Sequence, residues 1–309
     1  MLEEDNIDNK YSIINKLNHN QYSDTYLVMD VKDKKEYIAK INNNLNQNEQ
    51  EVQMLIKANA LNNPYIIHME CHGNGTIKRG GNTTNNQNYI ILEYCSKKDL
   101  FDYVYIGNMF CEKHAKYIFD KIIRGVQSLH EAKICHRNLN LQNISLSSNY
   151  TPKINNFSWA TFFQDNNGQS IILNDVVGNV IEMTPQMHNN QPYKGDKADI
   201  FSLGFILFNL VTGKNGFSRA TNNDPYYTHI FNGHIDDYWN NLPDEIKKIK
   251  YSNDFKDLYI KMVDYNENNR PNIEEILKHH WFDEIRNLNK EKLAELENEV
   301  QTVFHTKDM

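Results

Sequence analysis

The chain has 309 residues, 39% apolar and 24% charged, which is the composition of a folded protein with one large domain or two modest ones. Lys and Arg total 33 against 40 Asp and Glu, and the resulting charge of −7 excludes a chain built mainly to neutralise nucleic-acid phosphates. No run of 18 apolar residues offers a membrane span, and Met1-Leu2-Glu3-Glu4-Asp5-Asn6 lacks the basic-then-apolar order of a signal peptide. Four cysteines without C-x-x-C spacing make no disulfide framework, so a reducing, cytoplasmic setting is expected. One oddity stands out: 46 residues are Asn and only 13 are Gly. So few glycines leave few places where backbone can close over a phosphate.

In chain order, residues 11–17, 25–30 and 36–41 are short β-branched or aromatic runs between polar turns and read as strands. Residues 46–61 carry Val52, Leu55, Ile56 and Ala60 at helical spacing. Residues 64–69 and 89–92 read as two further strands, and the Gly-, Asn- and Thr-rich segment 73–88 between them as a solvated loop. From about residue 98 helical periodicity takes over. Residues 113–131 hold Ala115, Ile118, Phe119, Ile122, Ile123, Val126 and Leu129 on one stripe. Residues 198–211 are apolar nearly all round, as in a buried central helix, and 255–263 and 273–282 supply more helices. The tail 288–304, with Leu293, Leu296, Val300 and Val303 at three- and four-residue intervals, is an amphipathic helix expected to pack on the helical part. A partner-binding or self-associating helix is its alternative role. This order predicts an α+β chain of a small β-rich lobe (8–96), a larger helical lobe (97–284) and a C-terminal helix (285–309).

Several stretches resemble eukaryotic protein kinases, in order from about Tyr11 to Phe282. Cys135-His136-Arg137-Asn138-Leu139-Asn140-Leu141-Gln142-Asn143 stands where that family has H-R-D-L-K-P-E-N, and Asn156-Phe157-Ser158 where it has D-F-G. Thr184-Pro185-Gln186 takes the place of A-P-E, Asp199-Ile200-Phe201-Ser202-Leu203-Gly204 that of D-x-W-S-x-G, and Asn269-Arg270-Pro271 that of the late R-P. The late motif, continued by residues 275–282, resembles the Ser/Thr branch and calmodulin-dependent-kinase-like enzymes within it. The resemblance implies the bilobal protein-kinase fold and a nucleotide site whose parts can be checked one at a time.

The phosphate-binding G-x-G-x-x-G aligns with Asn18-His19-Asn20-Gln21-Tyr22-Ser23, so all three glycines are gone. Tyr37-Ile38-Ala39-Lys40 matches V-A-I-K: Lys40 stands at the phosphate-gripping position, and Glu51 is the candidate helix partner. Such a pair can also brace a small lobe with no nucleotide present. Around the adenine, Ile38 replaces the family's usual Ala, Ser145 its Leu and Thr25 its Val, a set expected to weaken base stacking. Asn143 keeps one metal-binding position. Asn156 replaces the other, and a neutral amide is a poor ligand for Mg²⁺. Asn138 occupies the general-base position, where an amide has no useful basicity, and Asn140 replaces the catalytic-loop Lys. By contrast His136, Phe157, Leu55 and Met69 match the apolar column that joins the lobes in the family, and Gln186 can still accept a hydrogen bond from Arg270. The expectation is a pseudokinase with no functional catalytic group, no metal and no required cofactor, weak ATP binding aside. It would act as a protein-interaction or allosteric module in signalling. Its partner would be a protein such as an active kinase or kinase substrate, with no nucleic acid and no membrane. The alternatives are a divergent Ser/Thr kinase with residual phosphotransfer and a metal-independent nucleotide-binding switch.

Three smaller features complete the reading. His68, Cys71 and His72 have no fourth ligand nearby for a metal. Cys135 beside His136 is a nucleophile–base pair on paper only, because adjacent residues on an extended loop point apart. The resemblance also implies that Arg137 can clamp a phosphorylated residue of the activation segment, here 156–186, in which Thr161 and Ser170 lie.

Overall fold

In the computed structural model, residues 5–19, 23–42, 45–105 and 109–308 are described. The chain divides into two compact units, Met1–Ser96 and Lys97–Met309. The first is a closed barrel of six strands: β1 (Asn6–Ile7), β2 (Tyr11–His19), β3 (Ser23–Asp30), β4 (Glu36–Asn42), β5 (Met69–Arg79) and β6 (Asn82–Glu93). Two-residue β1 closes it by pairing with both β2 and β5. Strand alternation sends Tyr26, Val28, Tyr37, Ala39, Ile41 and Ile91 into one interior cluster. It sends Ile38 and Lys40 to the opposite face of β4, where Ile38 is registered with Leu27 and Leu92, and Lys40 with Thr25. Helix α1 (Leu45–Asn59) covers this unit with Val52, Met54, Leu55 and Ala58 buried.

Two expectations are corrected in this unit. Segment 73–88 is not a loop: β5 and β6 form one long hairpin, with pairs such as Gly75 with Gln87 and Lys78 with Thr83. The hairpin turns at Gly80 and Gly81, both at positive φ (55° and 78°), the backbone that a two-residue turn of matching twist requires. Its outer strands are polar and mostly exposed, so no alternation of apolar residues marks them in the sequence. Residues 64–68 are not a strand, which starts only at Met69. The Asn59 side chain takes the place of a neighbouring strand there, donating to Ile67 O at 2.8 Å and accepting from Met69 N at 2.6 Å.

The second unit is built on α3 (Glu112–Glu131) and α5 (Gly195–Thr212), the latter buried along nearly its whole length. Between Leu100 and Tyr193 come α2 (Leu100–Tyr105), α4 (Pro185–His188) and three two-stranded pairings. These are β7 (Ile134–Cys135) with β10 (Thr161–Phe162), β8 (Ile144–Leu146) with β9 (Pro152–Ile154), and β11 (Ile172–Leu173) with β12 (Tyr193–Lys194). After α5 follow α6 (Tyr227–Phe231), α7 (Ile235–Asn241), α8 (Asp244–Lys247), α9 (Asn253–Met262), α10 (Ile273–Leu277), α11 (Asp283–Arg286) and α12 (Lys290–Asp308). Helices α5 and α9 approach so closely that a Cβ at Gly204 would lie 2.6 Å from Val263 Cγ1. Segment 273–282 is not one helix: α10 is started by the reciprocal Asn272–Glu275 capping box and stops at Leu277, and a 3₁₀ turn holds 280–282.

The C-terminal helix α12 seats Leu296, Val300 and Phe304 on this unit, whereas Leu293 is exposed. Phe304 lies against the rings of Tyr103, Phe110 and Tyr150 at 4.9, 5.1 and 5.2 Å. Asp308 ends the helix by accepting from Lys97, Tyr103 and Tyr150. Burial works against its charge, but those three donors outweigh it and hold the carboxyl down to about 2. Phe304→Ala is expected to lower the unfolding free energy by about 3 kcal/mol or more, and Leu293→Ala by less than about 0.5 kcal/mol, from urea midpoints at constant slope. Equal midpoints for the two variants would remove α12 from the core.

Candidate functional site

The loop after β7 is set by one carboxylate. Asp199 on α5 is fully buried and accepts from the backbone N–H of His136 and of Arg137, each at 2.8 Å, and stands 3.0 Å from His130 Nε2. Two consecutive amides can reach one carboxylate only where the chain turns sharply, and Arg137 sits at a φ of 62°. The His136 ring is 2.8 Å from Asn155 O and lies edge-on to Phe157 at 5.1 Å. Cys135 is not its nucleophile partner: its thiol lies 3.4 Å from Thr161 O, and burial pushes its pKa well up.

Past this anchor the site residues join into a chain of amides. Asn143 donates through Nδ2 to Asn138 O at 2.7 Å, which obliges its Oδ1 to face the other way. That oxygen accepts from Asn156 Nδ2 at 3.1 Å, and Asn156 Oδ1 accepts in turn from Ser158 Oγ at 2.8 Å. Asn156 is held at a φ of 62°, a conformation Asn tolerates better than most residues. Asn140 caps the 3₁₀ turn Leu141–Asn143, its Oδ1 accepting from Asn143 N at 3.0 Å, while its Nδ2 is 3.3 Å from Asn138 Oδ1. The four asparagines Asn138, Asn140, Asn143 and Asn156 are therefore brought together by hydrogen bonds among themselves. Ser145 on β8 accepts from Asn155.

Chemically the group is neutral. It has no carboxylate to take a proton at ordinary pH, and the two side chains at the metal positions are bonded to one another. That donor set does not fit Mg²⁺, which favours anionic oxygens in near-octahedral array. Arg137 is the charged member of the loop. Its Nη1 lies 2.6 and 2.7 Å from the carboxylate oxygens of Asp175, and its Nε donates to Trp159 O. The acid it holds is thus Asp175. Of the two expected partners, Thr161 is engaged in β10 and Ser170 bridges to Gln164.

In the first unit Lys40 Nζ lies 2.8 and 2.7 Å from the carboxylate oxygens of Glu51, an ion pair in which Glu51 is 2% exposed. Ile38 and Lys40 share a face of β4 with Thr25 across the ladder on β3. Asn20, Gln21 and Tyr22 of the phosphate-loop alignment lie outside the described residues. Cys71 Sγ pairs with Tyr11 OH at 3.3 Å. Among the described residues the metal-ligating side chains that do converge are His229, His234 and Asp237, at the surface around α6 and α7.

Sequence reasoning missed Glu182, because nothing in Ile181-Glu182-Met183 announces burial. Its Oε2 is buried without a hydrogen-bond partner, and burial pushes the carboxyl up to about 7. Gln186 was anticipated better: Arg270 Nη2 donates to its Oε1 at 2.9 Å, and its Nε2 donates to Tyr265 O at 2.7 Å.

The protein kinase domain profile matches residues 11–282. The chain is 32% identical over 207 residues to the serine/threonine-protein kinase ppk6 of Schizosaccharomyces pombe, which covers 66% of this chain and 24% of that protein. It is 32% identical over 163 residues to the serine/threonine-protein kinase chk1 of the same yeast, covering 52% and 32%. With the carbon catabolite-derepressing protein kinase of Secale cereale it shares 29% over 203 residues, covering 63% and 36%. The matched region thus spans between 24% and 36% of the length of these relatives.

Glu182 sets a pH dependence. Its folded-state pKa of about 7 lies above the ordinary 4.5, so between those values the folded chain keeps a proton that the unfolded chain has lost. Stability then falls as pH rises from 4.5 to 7, by about 3 kcal/mol in total, and levels off above. Glu182→Gln, neutral throughout, is expected to melt higher than the parent by a margin that grows across that window and stays flat beyond it. A margin independent of pH would refute the burial cost.

Proposed function

The chain belongs to the protein kinase family, and we propose that within it the protein is a pseudokinase, a protein-interaction or allosteric module that transfers no phosphate. The observation that carries this reading is the hydrogen-bonded chain of Asn138, Asn140, Asn143, Asn156 and Ser158: the two side chains at the metal positions, Asn143 and Asn156, meet each other, and the side chain at the base position, Asn138, meets Asn140. Phosphoryl transfer depends on positioned charge: an acid for the hydroxyl proton, metal-held phosphates and a cation on the transferred group. Here each of those positions is a neutral amide. The loop keeps its shape, because Asp199 holds its backbone, and drops its charge.

The partner is then a protein, an active kinase or a kinase substrate being the class the family suggests, and the setting is cytoplasmic. Neither nucleic acid nor membrane is a partner: the net charge is −7, and no helix among the described residues is long and apolar enough to cross a membrane. One observation favours a second reading. The formed Lys40–Glu51 pair leaves a cation where phosphates would be gripped, which suits a switch that binds nucleotide without metal.

Thermal-shift titration with ATP, with and without Mg²⁺, separates the readings. No shift is expected. A shift independent of metal selects the switch, and a metal-dependent shift with label transfer to a protein substrate overturns the proposal. Asn138→Asp with Asn156→Asp is expected to stay inactive until Ile38→Ala removes the bulk at the adenine position. Asn156→Asp alone sets two oxygens face to face at the 3.1 Å now bridged by Nδ2 and Oδ1. It should cost about 1–3 kcal/mol without metal, read as a lower melting temperature. Mg²⁺ should recover part of that loss in the variant and change nothing in the parent.

A further inference from the structure

Apart from the loop of asparagines, one group of side chains in the second unit has the makings of a ligand set. His229 on α6, His234 just before α7 and Asp237 within α7 each bring one ligand atom within 4.8 Å of the others. The backbone that gathers them is fixed by hydrogen bonds. Helix α6 ends in Asn232-Gly233, where Gly233 takes a φ of 74° and donates to Ile230 O at 3.1 Å. The next amide, His234 N, reaches back to His229 O at 2.8 Å, so the two histidines stand at the ends of one closed turn. Both helices are anchored from beneath by Tyr227 and Tyr238, fully buried, whose hydroxyls donate to Val263 O and Tyr259 OH. The candidate ligands are more open: His234 and Asp237 are exposed and His229 is half-buried. Among the described residues neither the His234 ring nor the Asp237 carboxylate has a hydrogen-bond or ion-pair partner. His229 Nε2 lies 3.5 Å from Asn241 Nδ2, the far limit of a hydrogen bond, and that amide already donates to Asp237 O at 2.8 Å.

We propose that His229, His234 and Asp237 bind one Zn²⁺ ion, with water in the fourth position, as a clamp between α6 and α7. Two imidazoles and a carboxylate form a donor set of borderline softness. Mg²⁺ and Ca²⁺ take oxygen throughout, and Cu⁺ selects sulfur, so neither class fits. Zn²⁺ holds such ligands at about 2.0–2.2 Å in a tetrahedron, which sets them about 3.4 Å from one another. No pair here then has to close by more than about 1.5 Å, within reach of side-chain rotation because two of the three residues are exposed. A set gathered from two helices does not exist in the unfolded chain, so the bound ion stabilises the folded one. The inference does not depend on whether the chain transfers phosphate, since none of the groups at the base position or the kinase metal positions takes part.

The test is titration of the full chain, stripped of metal with EDTA and dialysed, with ZnCl₂ at about pH 7.5, where an ordinary imidazole is neutral. Competition with a chromophoric chelator reads affinity and stoichiometry. One Zn²⁺ per chain is expected at micromolar affinity, undisturbed by millimolar Mg²⁺, together with a rise in melting temperature that EDTA reverses. His234→Ala and Asp237→Asn should each weaken zinc at least roughly tenfold and cancel that rise, leaving the metal-free melting temperature unchanged. X-ray absorption of the zinc-loaded chain should show nitrogen and oxygen neighbours with the outer scattering of two imidazole rings. The chain has 12 histidines, so equal zinc affinity in the double variant His234→Ala, Asp237→Asn places the ion elsewhere and overturns the proposal. Sulfur neighbours around the zinc overturn it too, as does absence of binding at millimolar ZnCl₂; both are read on the unaltered chain and depend on no variant folding.

Discussion

A single buried carboxylate organises the second unit. Asp199 is fully inaccessible, yet two backbone amides and an imidazole meet it at 2.8 to 3.0 Å, so its charge is solvated by the protein. Because His136 and Arg137 must both aim their N–H groups at it, the backbone turns at Arg137 and the following residues leave in one defined direction. The helix that carries Asp199 is apolar almost all round and cannot shift without uncovering its core. The positions of Asn138, Asn140 and Asn143 follow from that constraint, and Asn156 is then tied to Asn143.

This arrangement explains how shape and charge separate. Asn differs from Asp by one neutral donor, so a loop whose backbone is held elsewhere accepts the exchange with little strain, and the new N–H groups turn onto neighbouring oxygens. Arg270 shows the same economy. It is buried, its N–H groups go to Asp264 O, Lys197 O and Gln186 Oε1, and burial pulls it down to about 10. Neutral acceptors suffice there because three of them converge. Arg137 differs in keeping a true carboxylate, Asp175, which ties the middle of segment 156–186 to the loop.

The sequence was most legible where burial is one-sided. The helical stripes at 113–131 and 198–211 appear as α3 and α5 within a residue or a few of the expected ends, because an apolar face has only one stable place to go. It was least legible where burial is slight. The polar β5–β6 hairpin has no apolar alternation to announce it, and its evidence is the Gly80-Gly81 turn, whose sequence also fits a loop. In α12 helical spacing singled out Leu293, Leu296, Val300 and Val303, of which Leu296 and Val300 are docked; Phe304 completes the face unannounced, since the ring slot among Tyr103, Phe110 and Tyr150 exists only after folding.

By itself the sequence determined the family, the order of the elements and which chemical groups stand at each site position, because those depend on residue identity and spacing alone. The surplus of Asn and the shortage of Gly were visible there as counts, together with the absence of a carboxylate at 138 and 156. Only the tertiary structure decided what those side chains do. Hydrogen-bond direction, the choice of Asp175 as the acid beside Arg137, and the burial of Glu182 Oε2 without a partner all depend on residues distant in the chain. Such contacts leave no period or motif in the sequence, since the free energy that selects them comes from desolvation and packing of the assembled core.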